Sequence, residues 1–194
     1  WVGKNDFHYL EVPMSRLHRD RNPGTEPPRP AATAEVEIES MSHEGRGVAR
    51  VNGKTVFVEG ALTGERVRIA WMQRRSTFDE ARVVEVMTPS PQREQPGCEH
   101  FGVCGGCSLQ HMSTALQLEV KQAALAESLA RIGQVAPEHW LEPVSATPWG
   151  YRRRARLGVK FVTKKNAGLL GFREKRSHLL AELRGCKVLH PAVG

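Results

Sequence analysis

The sequence predicts a mixed β and α+β fold: a five-stranded, OB-like β-barrel over residues 34–88, followed by an α+β domain over residues 98–194. Three observations carry that expectation. Five short runs of alternating or β-branched residues, separated by glycine turns, fill residues 34–88. A long stretch of helical periodicity and then a strand-like basic stretch follow them. Between the two parts, three of the chain's four cysteines crowd into "CEHFGVCGGCSLQHM", residues 98–112.

The chain has 194 residues, 40% hydrophobic and 25% charged, which allows one large domain or two small ones. No run approaches the roughly 18 apolar residues of a membrane span, and Trp1 to Pro30 has no apolar segment of signal-peptide type. The expectation is a cytoplasmic protein with no membrane partner. In a reducing compartment, clustered cysteines bind metal or do redox chemistry more often than they form disulfides. The chain opens on Trp1, so it reads as a fragment, a processed product or a misassigned start, with Met14 a candidate native start. Residues 1–33 hold five prolines and many charges, the composition of a disordered tail.

The elements follow in order. "AEVEIES" from Ala34 alternates apolar and polar, as a half-buried strand does. "GVARVNGKTVFVEG" is two strands around Asn52-Gly53, the strongest short hairpin signal. "GERVRIAWM" puts Val67, Ile69 and Trp71 on one face, and "FDEARVVEVM" completes the five. Five strands of this spacing suit a small barrel of the OB type, a frequent binder of single-stranded nucleic acid. "TPSPQREQPG" then reads as a linker, taken as residues 89–97. "STALQLEVKQAALAESLARIG" reads as one helix with a Thr114/Gln117 capping box, an apolar stripe of Leu118, Leu125, Leu129 and Ile132, and Gly133 as the C-terminal glycine.

Read at period two, "PWGYRRRARLGVKF" separates into two faces over residues 151–162. Tyr151, Arg153, Ala155, Leu157, Val159 and Phe161 point one way; Arg152, Arg154, Arg156 and Lys160 point the other. From Ser145 to His178 there are ten Lys or Arg and one Asp or Glu, a net of +9 against +7 for the whole chain. Basicity this local is the footprint of a phosphate-binding surface, because a merely solvated face intersperses both signs. Arg152, Arg154, Arg156 and Lys160 are the expected RNA contacts.

Cys98, Cys104 and Cys107 have the spacing C-x5-C-x2-C, and Cys186 follows in "LRGCKVLHP". Four thiolates suit a tetrahedral zinc or a four-iron cluster. Zinc sites more often use two CxxC-like knuckles, and Gly102, Gly105 and Gly106 let backbone close around a bulky cluster; redox or structural thiols are a third reading. His100 and His111 lie nearby and read as bystanders, since four sulfurs complete a site.

The order of a small barrel, "CEHFGVCGGCSLQH", "PWGYRRRARL", "LLGFREKRSH" and a late cysteine resembles the N-terminal portion of the bacterial 23S ribosomal RNA uracil-C5 methyltransferases, in their TRAM-bearing branch. The likeness runs from about Ala34 to the end. It implies a TRAM barrel, then a central domain whose [4Fe-4S] cluster is held by Cys98, Cys104, Cys107 and Cys186. It also implies a C-terminal Rossmann-like domain, absent from this chain, that binds S-adenosylmethionine. Tyr151 with Arg152 and Arg154 matches a stretch that the wider uracil-C5 family places near its RNA. In that chemistry a cysteine attacks C6 of uracil, C5 takes the methyl group and a base removes the C5 proton. All four cysteines here are assigned to the cluster, and no glycine-rich strand-to-helix turn for the methyl donor is present. The chain is therefore expected to hold no catalytic residue and no S-adenosylmethionine ligand, to be inactive alone, and to engage a single-stranded loop of ribosomal RNA as a monomer. Two other classes remain open at this point. One is a stand-alone RNA-binding module with a structural iron–sulfur or zinc site. The other is a tRNA-modifying TRAM and iron–sulfur enzyme, whose C-x3-C-x2-C triad and C-terminal TRAM differ from the x5 spacing and N-terminal barrel here.

Overall fold

In the computed structural model, residues 32–193 are described, so the expected tail falls almost wholly outside them. The described residues divide into two compact units, 32–42 with 46–90 and 43–45 with 91–193.

The first unit is a six-stranded sheet in the order β1-β5-β6-β4-β3-β2. The strands are β1 (Thr33–Glu37), β2 (Ser40–Met41), β3 (Gly47–Val51), β4 (Lys54–Glu59), β5 (Arg66–Arg74) and β6 (Phe78–Thr88). Its two outer strands, β1 and β2, are consecutive in sequence, parted only by Ile38 and Glu39. The Ile38 N–H donates to the Glu65 carbonyl at 2.9 Å and the Glu39 N–H to the Val48 carbonyl at 2.8 Å, so the corner itself is hydrogen-bonded and the sheet closes as a barrel. This explains why five expected strands became six. The first run bends at Ile38–Glu39 to pair with β5 on one side and β3 on the other. The β4–β6 pairing is parallel and the others antiparallel. Inside lie Ile38, Ala49, Val56, Val58, Val67, Ile69 and Ala81, with Trp71 packed against them, as the alternation of β5 requires. Asn52 (φ 52°) and Gly53 (φ 78°) are both left-handed, the geometry that a two-residue I′ hairpin demands.

In the second unit the expected linker is not free chain. Arg93 bridges Met112, and the Glu94 N–H donates to the His111 carbonyl at 3.1 Å. Helix α1 spans Thr114–Ser128. Its cap is Ser113, one residue before the expected Thr114: the Ser113 hydroxyl accepts from the Leu116 N–H at 3.1 Å, while Gln117 Nε2 donates to the Met112 carbonyl at 3.1 Å. The last turn widens to a π-helical stretch, Leu129–Gly133, and the left-handed residue that ends it is Gln134 (φ 52°), not Gly133. No residue of α1 is buried, and the stripe residues Leu125 and Ile132 are 52% and 84% exposed.

Strand β7 covers Gly158–Val162 only and pairs with β8 (Ala167–Gly171) as an isolated antiparallel hairpin. The expected strand over 151–162 is thus corrected to its last five residues. β8 offers five partners and stops at Gly171, where a Cβ would lie 2.0 Å from the Ala181 carbonyl oxygen, so the chain there packs on a returning segment. With a single partner strand, one face of the hairpin is left uncovered: Val159 and Phe161, placed by alternation in a core, are 76% and 61% exposed.

Candidate metal centre and nucleic-acid interface

Four chain segments build a recess in the second unit. The loop 98–107 is shaped by short-range bonds: the Phe101 N–H donates to the Cys98 carbonyl at 3.0 Å, and the Cys104 N–H to the His100 carbonyl at 2.9 Å. It is then locked against the segment after β8, with the Gly105 N–H donating to the Arg173 carbonyl and the Lys175 N–H to the Val103 carbonyl, both at 2.9 Å. The segment carrying Cys186 is held by a different neighbour. Gly150 N–H donates to the Lys187 carbonyl (2.8 Å), Arg152 N–H to the Val188 carbonyl (3.0 Å), and His190 N–H back to the Arg152 carbonyl (3.0 Å). The motifs "PWGYR" and "GFREK" therefore serve as the backbone partners of the two cysteine-bearing segments.

Cys98, Cys104, Cys107 and Cys186 all line this recess, each half-buried and none in a disulfide. Phe172, Leu183 and Val188 supply its apolar wall. Two glycines sit where side chains would intrude: a Cβ on Gly105 would lie 2.8 Å from the Arg173 carbonyl oxygen, and one on Gly106 would lie 3.4 Å from Cys104 Sγ. Burial pushes the Cys104 thiol up, partly offset by the Gly106 N–H that donates to its sulfur at 3.4 Å; the other three thiols add to the rise. Among the described residues no group of three or more His, Cys, Asp or Glu is arranged as ligands of one metal ion.

Of the four basic residues picked from the sequence, the structure separates one from the rest. Arg152 is half-buried and lines the cysteine recess, because its backbone is paired to Val188 and His190. Arg154 and Arg156 are exposed in an unpaired stretch, and Lys160 is exposed on β7, so the single cationic strand face is not formed. His100, a bystander by the sequence reading, has a structural place in the recess. It lines the recess, and its Nε2 accepts from the Arg184 N–H at 3.1 Å. Its place inside the C-x5-C spacing was the available signal.

The barrel and the thiol recess can be set beside known proteins. The TRAM domain pattern matches residues 30–71. The chain is 56% identical over 178 residues, 91% of its length, to the 23S rRNA (uracil(1939)-C(5))-methyltransferase RlmD of Nitrosococcus oceani, and 53% identical over 85% of its length to that of Alkalilimnicola ehrlichii. By sequence it resembles the 23S rRNA uracil-C5 methyltransferases over most of its own length, and it spans 39% and 37% of those two relatives. Among solved structures, the Pyrococcus abyssi tRNA (uracil-54, C5)-methyltransferase in complex with S-adenosyl-L-homocysteine is similar in fold. The TM-score is 0.52 at 22% identity, over 81% of this chain and 33% of that one.

Proposed function

We propose that this chain is the RNA-selecting and iron–sulfur part of an S-adenosylmethionine-dependent methyltransferase that forms 5-methyluridine in 23S ribosomal RNA. The observation that carries the reading is the convergence of four thiols from distant segments on one recess with glycine walls, in a chain about half identical to named members of that family. An all-sulfur donor set selects zinc or iron–sulfur. Zinc sites of four sulfurs more often use two closely spaced cysteine pairs, whereas here one side is the lone, distant Cys186. A [4Fe-4S] cluster held by Cys98, Cys104, Cys107 and Cys186 would use the room left by Gly105 and Gly106 and would cross-link the segments that already meet there. Such a staple constrains the unfolded chain most where it closes the long loop from Cys107 to Cys186.

In this reading the barrel and the exposed Arg154, Arg156 and Lys160 engage a single-stranded loop of ribosomal RNA, with Arg152 holding the edge of the cluster site against the RNA-facing segment. S-adenosylmethionine and the uracil-attacking group belong to the portion of such relatives that this chain does not span, so the chain alone, a monomer of the cytoplasm, is inactive. No described helix is long and apolar enough to cross a membrane.

The test is anaerobic purification with metal analysis. About four irons per chain and a broad brown absorbance are expected, and both should be lost in Cys104→Ser together with cooperative melting of the second unit. Stoichiometric zinc without iron would overturn the cluster assignment, and methyl transfer by this chain alone would overturn the assignment of catalysis elsewhere.

A further inference from the structure

The barrel's surface charges fall into two groups. Arg66 and Arg68 are matched by carboxylates: Arg66 reaches Glu35 at 3.0 Å, and Arg68 bridges Glu35 at 3.2 Å and also Glu85. At the end where the β3–β4 hairpin meets the β5–β6 turn, the balance differs. There Lys54, Arg74 and Arg75 surround one carboxylate, Asp79. Lys54 Nζ lies 2.6 Å from its Oδ1, the Arg75 backbone N–H donates to it at 3.2 Å, and Arg74 acts on it through space. Asp79 is satisfied by Lys54 and by backbone, which leaves two consecutive arginine guanidinia in excess.

Each of those guanidinia rests on an aromatic ring. Arg74 Cζ is 4.6 Å from the centroid of Trp71, and Arg75 Cζ is 5.3 Å from that of Phe78. Both rings are braced from beneath. Trp71 packs on the barrel core, and Phe78 meets Phe57 edge-on at 5.4 Å. Both arginines are exposed, so the outward face of each guanidinium is open to solvent, and Arg75 Nη2 is further oriented by Gln73 Oε1 at 3.0 Å.

We propose that this rim is a stacking site for single-stranded RNA, in which Arg74 and Arg75 each lie between their own aromatic ring and an RNA base. The inference rests on the RNA-binding reading above and adds where the barrel grips. A guanidinium already held over a ring has surrendered much of its rotamer freedom, so a base can stack on its other face at small further entropic cost. Its edge N–H groups, beyond the one that Arg75 gives to Gln73, can fork onto backbone phosphates. Unstacked bases present such faces only in single strands. The turn between the last two strands is also where five-stranded barrels of this kind commonly take oligonucleotides.

The experiment measures binding of the full 194-residue chain to a labelled single-stranded oligoribonucleotide of about 12 nucleotides across a salt series, an OB-sized site. Arg74→Ala with Arg75→Ala should weaken binding by about tenfold or more and flatten the log–log salt slope by about 1.4, at about 0.7 for each phosphate no longer engaged. Arg74→Lys with Arg75→Lys should keep the slope and still lose affinity several-fold, because lysine cannot stack. Arg66→Ala with Arg68→Ala, the matched pair, should change neither. Equal losses for the two alanine pairs, full affinity in the lysine pair, or competition by polyglutamate as strong as by unlabelled oligonucleotide would each overturn the rim while leaving RNA binding itself intact. No binding by the unsubstituted chain would instead overturn the RNA-binding reading. If the alanine pair fails to fold, the lysine pair decides.

Discussion

The imidazole Nε2 of His100 accepts a hydrogen bond from the backbone N–H of Arg184 at 3.1 Å, joining residues 84 positions apart. Nε2 as acceptor places the ring proton on Nδ1 in the neutral form. The bond pins the turn before Cys186 to the loop that holds Cys98 and Cys104. His100→Ala should cost about 0.5–1.5 kcal/mol of second-unit stability, the net worth of one such bond. Under the cluster assignment proposed above, it should also lower the iron retained after anaerobic gel filtration, although all four cysteines remain. His100→Gln keeps an acceptor and should recover part of the retention. Iron retention equal to the unsubstituted chain in His100→Ala would show that the bond does not position Cys186.

Gly171 ends β8 against a backbone carbonyl, that of Ala181, and a carbonyl already committed to the fold cannot swing aside as a side chain can. The Ala181 N–H meanwhile donates to the Phe172 carbonyl at 2.8 Å, which fixes that strand crossing. Gly171→Ala should destabilise the second unit by about 1–3 kcal/mol or more, the range for overpacking. Gly53→Ala has nothing within contact distance of its Cβ, and its cost should come from φ 78° alone. Thermal melting of the two variants should show the loss in different units.

Acid should loosen the barrel. The Arg68 guanidinium, helped by Arg66, holds the Glu35 carboxyl below its usual range, and Lys54 does the same for Asp79. A carboxyl whose folded pKa is depressed contributes fully above its unfolded value, about 4, and loses that contribution as pH falls through the folded value. Barrel stability should therefore be flat from about pH 7 to 5 and fall below about pH 4. Glu35→Gln with Asp79→Asn should make the acid limb shallower. Denaturant midpoints recorded across that range check it, and an unchanged acid limb in the double variant would remove these two groups from the account.

Within the basic segment, position should matter more than charge count. Arg154 and Arg156 are exposed beside the recess-lining Arg152, whereas Lys164 and Lys165 sit in the 3₁₀ turn Thr163–Lys165 and Lys165 is paired to Glu182. Arg154→Ala with Arg156→Ala should weaken RNA binding more than Lys164→Ala with Lys165→Ala, with a salt slope flattened by up to about 0.7 per phosphate released from the protein. Equal losses of affinity for the two pairs would favour a diffuse electrostatic surface over a located one.

The local patterns of the sequence determined the barrel strands, the Asn52-Gly53 hairpin, the α1 helix and the grouping of three cysteines, because alternation, turn chemistry and helical period act between residues a few positions apart. Even there, limits were set by neighbours: the cap moved to Ser113 because its hydroxyl, rather than that of Thr114, meets a free N–H. Tertiary structure alone decided the rest. The bend at Ile38–Glu39 exists because one run must pair with two strands to close the sheet. The alternation over 151–162 promised a continuous strand, yet a strand needs a ladder partner at each residue. β8 supplied five, and Arg152 found its partners in Val188 and His190 instead. That exchange moved Arg152 from the expected cationic face into the thiol recess, and the same kind of long-range pairing brought His100 to Arg184. Backbone hydrogen bonds between distant segments leave no periodic trace in sequence, so the place of each thiol was legible along the chain while the recess they share was not.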